Sequence, residues 1–487
     1  MQKLLLWGGI GFGAIVIIIF IVALSTRDSS KTTKTGGKND KKVVTFWSPI
    51  DEPEIFKDII ARYQQANPNV KIKYVYKSPI TTYDSESTDA LSAGQGPDIW
   101  AIHNSFIPKH LAKLAPMPDG FLATSKKNKD TDAEIVTKKY VPIVSQENIS
   151  EEKVYGLPLF VDTLVLFTNP SLLNAKLRSI QKQGNDVNSS LFSVGPKDWN
   201  EFVDLVKIYT ERNNDDIVKS AVALGRSDNV RNAQDILAVL MVQNGASIAS
   251  PDGLTATFHL PSPKATGIVF EAQQRYFPGV EALKFFSAFS DKTEDVFTWD
   301  NTFSDSYDAF INGETAMMID YSSTALNIAQ DKPTLNYKIL PLPQIRNATD
   351  AIDMADYWTL TVPKISKNQP EAWNFIRYLT TVGQSSYLAN TRRPSPLKPK
   401  STPRSVKERV EVKNPFRYQT QTAQSWYRGK DPADVEVEFL SMINQVVNQN
   451  IAPDQAASAA AKKISEIFRL REGYSINPST TPEKQLP

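Results

Sequence analysis

The 487-residue chain has no cysteine. This excludes disulfides, thiolate metal sites, a cysteine nucleophile and a lipid carried on an N-terminal cysteine, while leaving the redox compartment open. Histidine is nearly as scarce. His103, His110 and His259 are the three present, and their dispersal offers no metal-binding spacing. Charge of one sign is lacking too: 55 lysines and arginines stand against 53 aspartates and glutamates. That balance argues against a broad basic face and hence against a nucleic-acid partner. No zinc, haem or phosphate-loop spacing, HExxH helix, nucleophile elbow or internal repeat occurs, so no cofactor is expected.

What is there suits a packed globular protein, with 41% hydrophobic and 10% aromatic residues. The length points to roughly two or three units, two lobes being the simplest expectation. One long uncharged run, residues 4–24, would span about 31 Å as a helix and so predicts a transmembrane anchor. A cleaved signal peptide is the competing reading, but Ala23-Leu24-Ser25 makes a poor cleavage site. Lys3 alone precedes the run whereas Arg27, Lys31, Lys34, Lys38, Lys41 and Lys42 follow it, which by charge alone would hold the large domain in the cytoplasm. Long domains translocate largely regardless of flanking charge. Residues 25–42 contain almost nothing that could join a core and read as a flexible linker.

Folded sequence begins at Val43-Val44-Thr45-Phe46-Trp47, a strand. Asp51 is placed to cap the next helix, with Pro53 in its first turn and Ile55, Phe56, Ile59, Ile60 and Tyr63 on one face. A second strand over 70–75, a helix through Asp89-Ala90-Leu91 ending at Gly94, and a third strand over 99–102 complete an alternation that implies a parallel sheet. Ligands of such sheets sit outside the carboxyl ends of the strands, where Trp47, Ser48, His103 and Asn104 fall; core aromatics and loop polars are the plainer alternative.

Residues 154–169, VYGLPLFVDTLVLFTN, form a strongly apolar stretch with one ionisable side chain, Asp162. Its β-branched and aromatic residues predict a strand covered on both faces. A carboxylate there is either a structural ion-pair partner or a ligand contact at a cavity. Further on, Asp198 with Glu201 and Asn368 with Glu371 read as capping boxes. Gly313 ends a helix before the buried strand at 316–319, and 357–362 is another strand. Residues 393–403 are proline-rich and read as a surface loop. Trp199 and Trp373 lie on ordinary helix faces and read as core.

Taken in order, VTFW, NPNVKIKY, SAGQGPDI, YGLPLFVDTLVLFTN, PKDWNEF, FINGETAMMID, ILPLP, and YWTLTVPK followed by QPEAWNFIRYL resemble the extracellular solute-binding proteins of carbohydrate ABC importers, the family that includes maltose-binding protein. The resemblance spans roughly residues 43–468. It implies an α/β, two-lobed periplasmic-binding-protein-like (Venus-flytrap) fold behind the N-terminal helix. Lobe 1 would comprise residues 43–160 and 358–410, lobe 2 residues 161–357 and 411–471, and residues 472–487 a loose tail. It also implies a bacterial, single-pass membrane protein with an extracellular domain, a carbohydrate ligand and an ABC permease as partner.

Carried over by position, the resemblance puts Asp162 at the crossover, accepting hydrogen bonds from sugar hydroxyls. It puts Trp47, Ser48, His103 and Asn104 on one lip of the cleft, Tyr321 and Ser323 on the other, Trp358 at the second crossover and Trp426 near the closing helices. The sequence departs from the family in its missing lipid-bearing cysteine, in the loop Arg392-Arg393-Pro394, and in insertions at 121–137 and 176–194. A glycosidase with paired carboxylates and a ligand-sensing receptor are the alternatives; a single acid in the crossover strand is not an acid pair.

Overall fold

The computed structural model describes residues 41–123, 129–262, 276–399 and 416–471. In chain order the strands are β1 (Lys42–Ser48), β2 (Val70–Tyr76), β3 (Ile99–His103), β4 (Ile149–Ser150), β5 (Lys153–Val154), β6 (Gly156–Pro158), β7 (Asp162–Thr168), β8 (Glu211–Asn213), β9 (Asp216–Ala223), β10 (Thr315–Tyr321), β11 (Lys338–Leu340), β12 (Asp353–Asp356), β13 (Trp358–Thr361) and β14 (Ala423–Gln424). They form two main sheets. The first has the order β2-β1-β3-β13-β6; the second runs β14-β12-β7-β10-β9-β8, with β11 also on β7. β4 and β5 make a separate small hairpin. β1 is parallel to β2 and β3, as the strand–helix alternation requires. β13 enters antiparallel between β3 and β6.

Each sheet carries its own core. Phe46, Phe56, Trp373 and Phe375 pack on the first, and Leu166, Trp199, Phe202 and Ile319 on the second. Trp199 and Trp373 are therefore the core residues their helix faces predict. β7 and β10 are buried along their whole lengths, which is why their apolar residues run continuously instead of alternating.

The stretch 154–169 is not one strand. Its chain leaves the first sheet after Pro158 and enters the second at Asp162, with buried Leu159, Phe160 and Val161 between. The strand expected at 357–362 is β13, and the chain reaches it by a second crossover: β12 belongs to the second sheet, β13 to the first, and Tyr357 alone joins them. These two crossovers lie side by side, Asp356 pairing with Asp162.

Two caps differ from the sequence reading. Asp51 caps nothing; Glu52 holds the N-cap position of helix Pro53–Ala66, while the buried Asp51 carboxylate accepts hydrogen bonds from Arg393 Nη1 at 2.7 Å and Tyr387 Oη at 2.9 Å. Arg393 is therefore buried in an ion pair and not on a surface loop. Asn368 sits at the N-cap of helix Gln369–Thr380 without capping it, and its Nδ2 donates to the Val43 carbonyl at 3.0 Å. Asp198 does cap its helix, accepting from the Glu201 amide at 2.9 Å, but Glu201 reaches the Lys197 amide and so makes half a box. The anchor at 4–24, nearly all of the linker, residues 400–403 and the tail at 472–487 lie outside the described residues. Among the described residues, no helix is long and apolar enough to cross a membrane.

Candidate functional site

A cleft of about 540 Å³ lies between the two sheet-centred lobes, at the carboxyl ends of β3 and β10. Its first-lobe wall is aromatic. Trp358 opens β13 directly across from His103 at the end of β3, and the two rings meet edge to face at 5.3 Å. Tyr83, on helix Ile80–Ser92, packs on Trp358 at 5.8 Å, and its hydroxyl is held by the Trp47 carbonyl at 3.0 Å. At the crossover, Asp356 Oδ1 lies 2.5 Å from His103 Nε2, while His103 Nδ1 meets Ser105 Oγ at 2.7 Å. Burial tends to raise the Asp356 pKa, but His103, Arg428 and Arg393 together hold it below the ordinary carboxylate value.

The second-lobe wall is a polar network centred on Asp235 of helix Ala233–Gln243. Asp235 Oδ1 accepts from Trp426 Nε1 at 2.7 Å and Arg428 Nη2 at 2.6 Å, and Oδ2 accepts from Tyr321 Oη at 3.0 Å. The Arg428 guanidinium lies over the Trp426 ring at 4.4 Å and also pairs with Glu436 on helix Pro432–Gln449. Burial, with the charge of Asp235, drives the Tyr321 hydroxyl well above its usual range, so it remains a donor. Burial also raises the Glu436 carboxyl, and Arg428 opposes that rise. One wall thus offers ring faces and the other offers fixed donors and acceptors, an arrangement suited to binding a small molecule with apolar faces and polar edges.

Of the residues singled out from sequence, His103, Tyr321 and Trp358 line this cleft. Asn104 and Trp426 line an adjoining cavity of about 370 Å³, where Asn104 Nδ2 donates to Ser425 Oγ at 2.8 Å. The other four stand back from the cleft. The Trp47 ring lies under the Lys77 ammonium at 4.0 Å and packs on the same small core as Trp358, so it serves the wall through that core and through its carbonyl on Tyr83 without forming it. Ser48 is buried, its hydroxyl facing the Ile50 amide. Asp162 is only 1% exposed, and its carboxylate accepts from the amides of Thr163, Ser322 and Ser323 at 2.8, 3.0 and 2.8 Å and from the Ser322 hydroxyl. It is neither an ion-pair partner nor a group at the open cleft: it ties down the turn that follows β10. Ser323 belongs to that same turn, contributing its amide.

Asp356, Asp235, Arg428, Glu436 and Tyr83 escaped the sequence reading. Asp356 carried a usable signal, since it is an acid set immediately before the apolar YWTLTV, the same anomaly that drew notice to Asp162. Asp235 and Arg428 carried none, being 193 residues apart. Among the described residues, no group of histidine and acidic side chains could hold a metal ion.

The architecture, two α/β lobes joined by crossing strands around a cleft, defines a periplasmic-binding-protein-like fold. Solved structures share it at low sequence identity. The sugar-binding protein MalE of Xanthomonas citri aligns with TM-score 0.65 and 19% identity, over 89% of this chain and 98% of that one. The maltose-maltodextrin binding protein of Alicyclobacillus acidocaldarius aligns with TM-score 0.59 and 17% identity, over 87% and all of the two chains. Residues 47–385 match the family described as bacterial extracellular solute-binding protein, and the chain belongs to that family. The family is one of binding proteins and not of enzymes. The galactooligosaccharide-binding protein of Bacillus subtilis is 27% identical over 160 residues, a stretch covering 33% of this chain and 34% of that relative.

Proposed function

We propose that this chain captures a sugar or oligosaccharide between its lobes, is tethered outside the cell by the helix at 4–24, and delivers its ligand to an ABC permease. On this reading lobe 1 comprises residues 43–160 and 358–410, and lobe 2 residues 161–357 and 411–471. The observation that carries the proposal is the pairing of unlike walls: Trp358 and Tyr83 can cover the C–H faces of a pyranose, while Asp356, Glu436, and the Tyr321 and Arg428 that Asp235 holds in place meet its hydroxyls. A ligand touching both walls binds the closed state better than the open one, so it shifts the population towards closure, and a permease can read that closure. The likeness to oligosaccharide-binding relatives supports the same ligand class. Asp162 and Ser323 serve this site by fixing the turn beside Tyr321, and Trp47 by holding the Tyr83 hydroxyl through its carbonyl.

Calorimetry and thermal melting with maltotetraose and other saccharides test the ligand class. A saccharide that binds stabilises the native chain by about 2.7 kcal/mol when present at 100 times its Kd. Trp358→Ala should weaken it at least tenfold, about 1.4 kcal/mol. A peptide or polyamine that raises the melting temperature where no saccharide does would overturn the sugar assignment. The tether rests on spanning length and a poor cleavage site. Mass spectrometry of the membrane-extracted protein should find residues 4–24 still attached, and a mature N-terminus near residue 25 in a soluble fraction would remove the anchor.

A further inference from the structure

A larger groove, of about 980 Å³, lies on the first lobe and shares no lining residue with the cleft. One wall is helix Gln369–Thr380, where Glu371, Asn374 and Tyr378 recur on one face. From Glu371 to Thr381 that wall runs about 15 Å. Tyr63, from helix Pro53–Ala66, packs against Tyr378 at 5.0 Å and faces the groove. Phe121 lies across from them under the Arg377 guanidinium at 4.4 Å. Arg377 is fixed there by donating to the Phe121 carbonyl and to Asn374 Oδ1, both at 3.1 Å.

Two side-chain atoms on this lining are buried without a hydrogen-bond partner: the donor Gln384 Nε2, on a residue 6% exposed, and the acceptor Glu371 Oε2, whose other oxygen is paired with Lys42. Both atoms are closed off where they stand, so the polar groups that a ligand in the groove meets directly are Asn374, Arg377, Lys139 and Thr381 on the same lining. Aromatic side chains among these groups suit a molecule with apolar faces as well as hydroxyls.

We propose that the groove is a second saccharide site, taking a short chain of pyranose units. Every wall belongs to the first lobe, so a ligand held there has no differential affinity for open and closed states and leaves lobe closure unchanged. The chain could then hold a longer glycan on its surface while the cleft closes separately on another.

The test uses the full chain with maltotetraose, cellotetraose and N-acetylchitotetraose as probes, reading stoichiometry by calorimetry and closure by small-angle scattering. At least one probe should occupy a site that leaves the scattering profile unchanged. Asn374→Trp, which fills the groove from a half-buried helix position, should weaken that site at least tenfold and change any closure-linked affinity by less than twofold. Arg377→Ala should act in the same direction. A closure-silent site lost in Asn374→Trp upholds the groove even when no probe closes the cleft. No closure-silent binding by any probe, or binding untouched by both variants, overturns it even when the cleft binds sugar as proposed.

Discussion

Asp162 and Asp356 face each other on adjacent crossover strands, the same residue type at paired positions, yet they have different surroundings. Asp162 receives three backbone amides and a hydroxyl and is sealed from solvent. Asp356 has one close partner, His103, and its side chain remains 27% exposed towards the cleft. Like charges directly opposite on neighbouring strands are unfavourable. Arg393 and Arg428 offset this: Arg393 feels the charge of Asp162, and both arginines lower the Asp356 pKa. Which carboxylate can reach a ligand is therefore set by how many donors from its own fold already surround it, not by its place at a crossover.

The largest effect that would break this comparison is on stability. Asp162→Ala strands the amides of Ser322 and Ser323 and the Ser322 hydroxyl beneath a buried turn. At about 1–3 kcal/mol for each unmet buried donor, and allowing for relaxation, the ligand-free protein should lose about 3–5 kcal/mol. Urea unfolding without ligand measures it. An unchanged midpoint together with weakened sugar binding would return Asp162 to the ligand and erase the distinction from Asp356.

The comparison also shows what the sequence could reveal. Runs such as LVLFT and AMMI announced buried strands because continuous apolar residues leave few other options, and Gly313 marked a helix end through its left-handed backbone. An acid inside such a run announced that something unusual happens at Asp162, but composition cannot say whether the donors that meet it are backbone amides or ligand hydroxyls. That depends on the Ser322–Ser323 turn, 160 residues away. The break at Tyr357 was hidden for a similar reason: the residues on either side suit strands equally well, and only the pairing of β12 with β7 and β13 with β3 separates them. The Asp235–Arg428–Trp426 network depends wholly on tertiary folding and left no local pattern.

A smaller effect sharpens the comparison from the other side. Asp356→Asn keeps the shape and an oxygen near His103 but removes a charged acceptor from the cleft, so sugar affinity should fall by about 1.5–3 kcal/mol, with far less loss of stability than in Asp162→Ala. The two carboxylates should also differ in how they couple stability to pH. For Asp356, burial pushes the pKa up, but His103, Arg428 and Arg393 outweigh it, leaving the folded value depressed. The unfolded chain then binds the proton more readily, so this contribution is complete above the unfolded value of about 3.9 and is lost as pH falls through the folded value. For Asp162, burial raises the folded value and the surrounding hydrogen bonds only partly counter it, so its contribution runs oppositely, declining as pH rises from the unfolded towards the folded value. Ligand-free melting of wild type and Asp356→Asn from pH 3 to 7 should therefore show a gap that is smallest at the acid end, widens as pH rises towards about 4 and then stays level. A gap that instead narrows with rising pH would mean that Asp356 is as poorly compensated as Asp162, and that the arginines do not divide the pair.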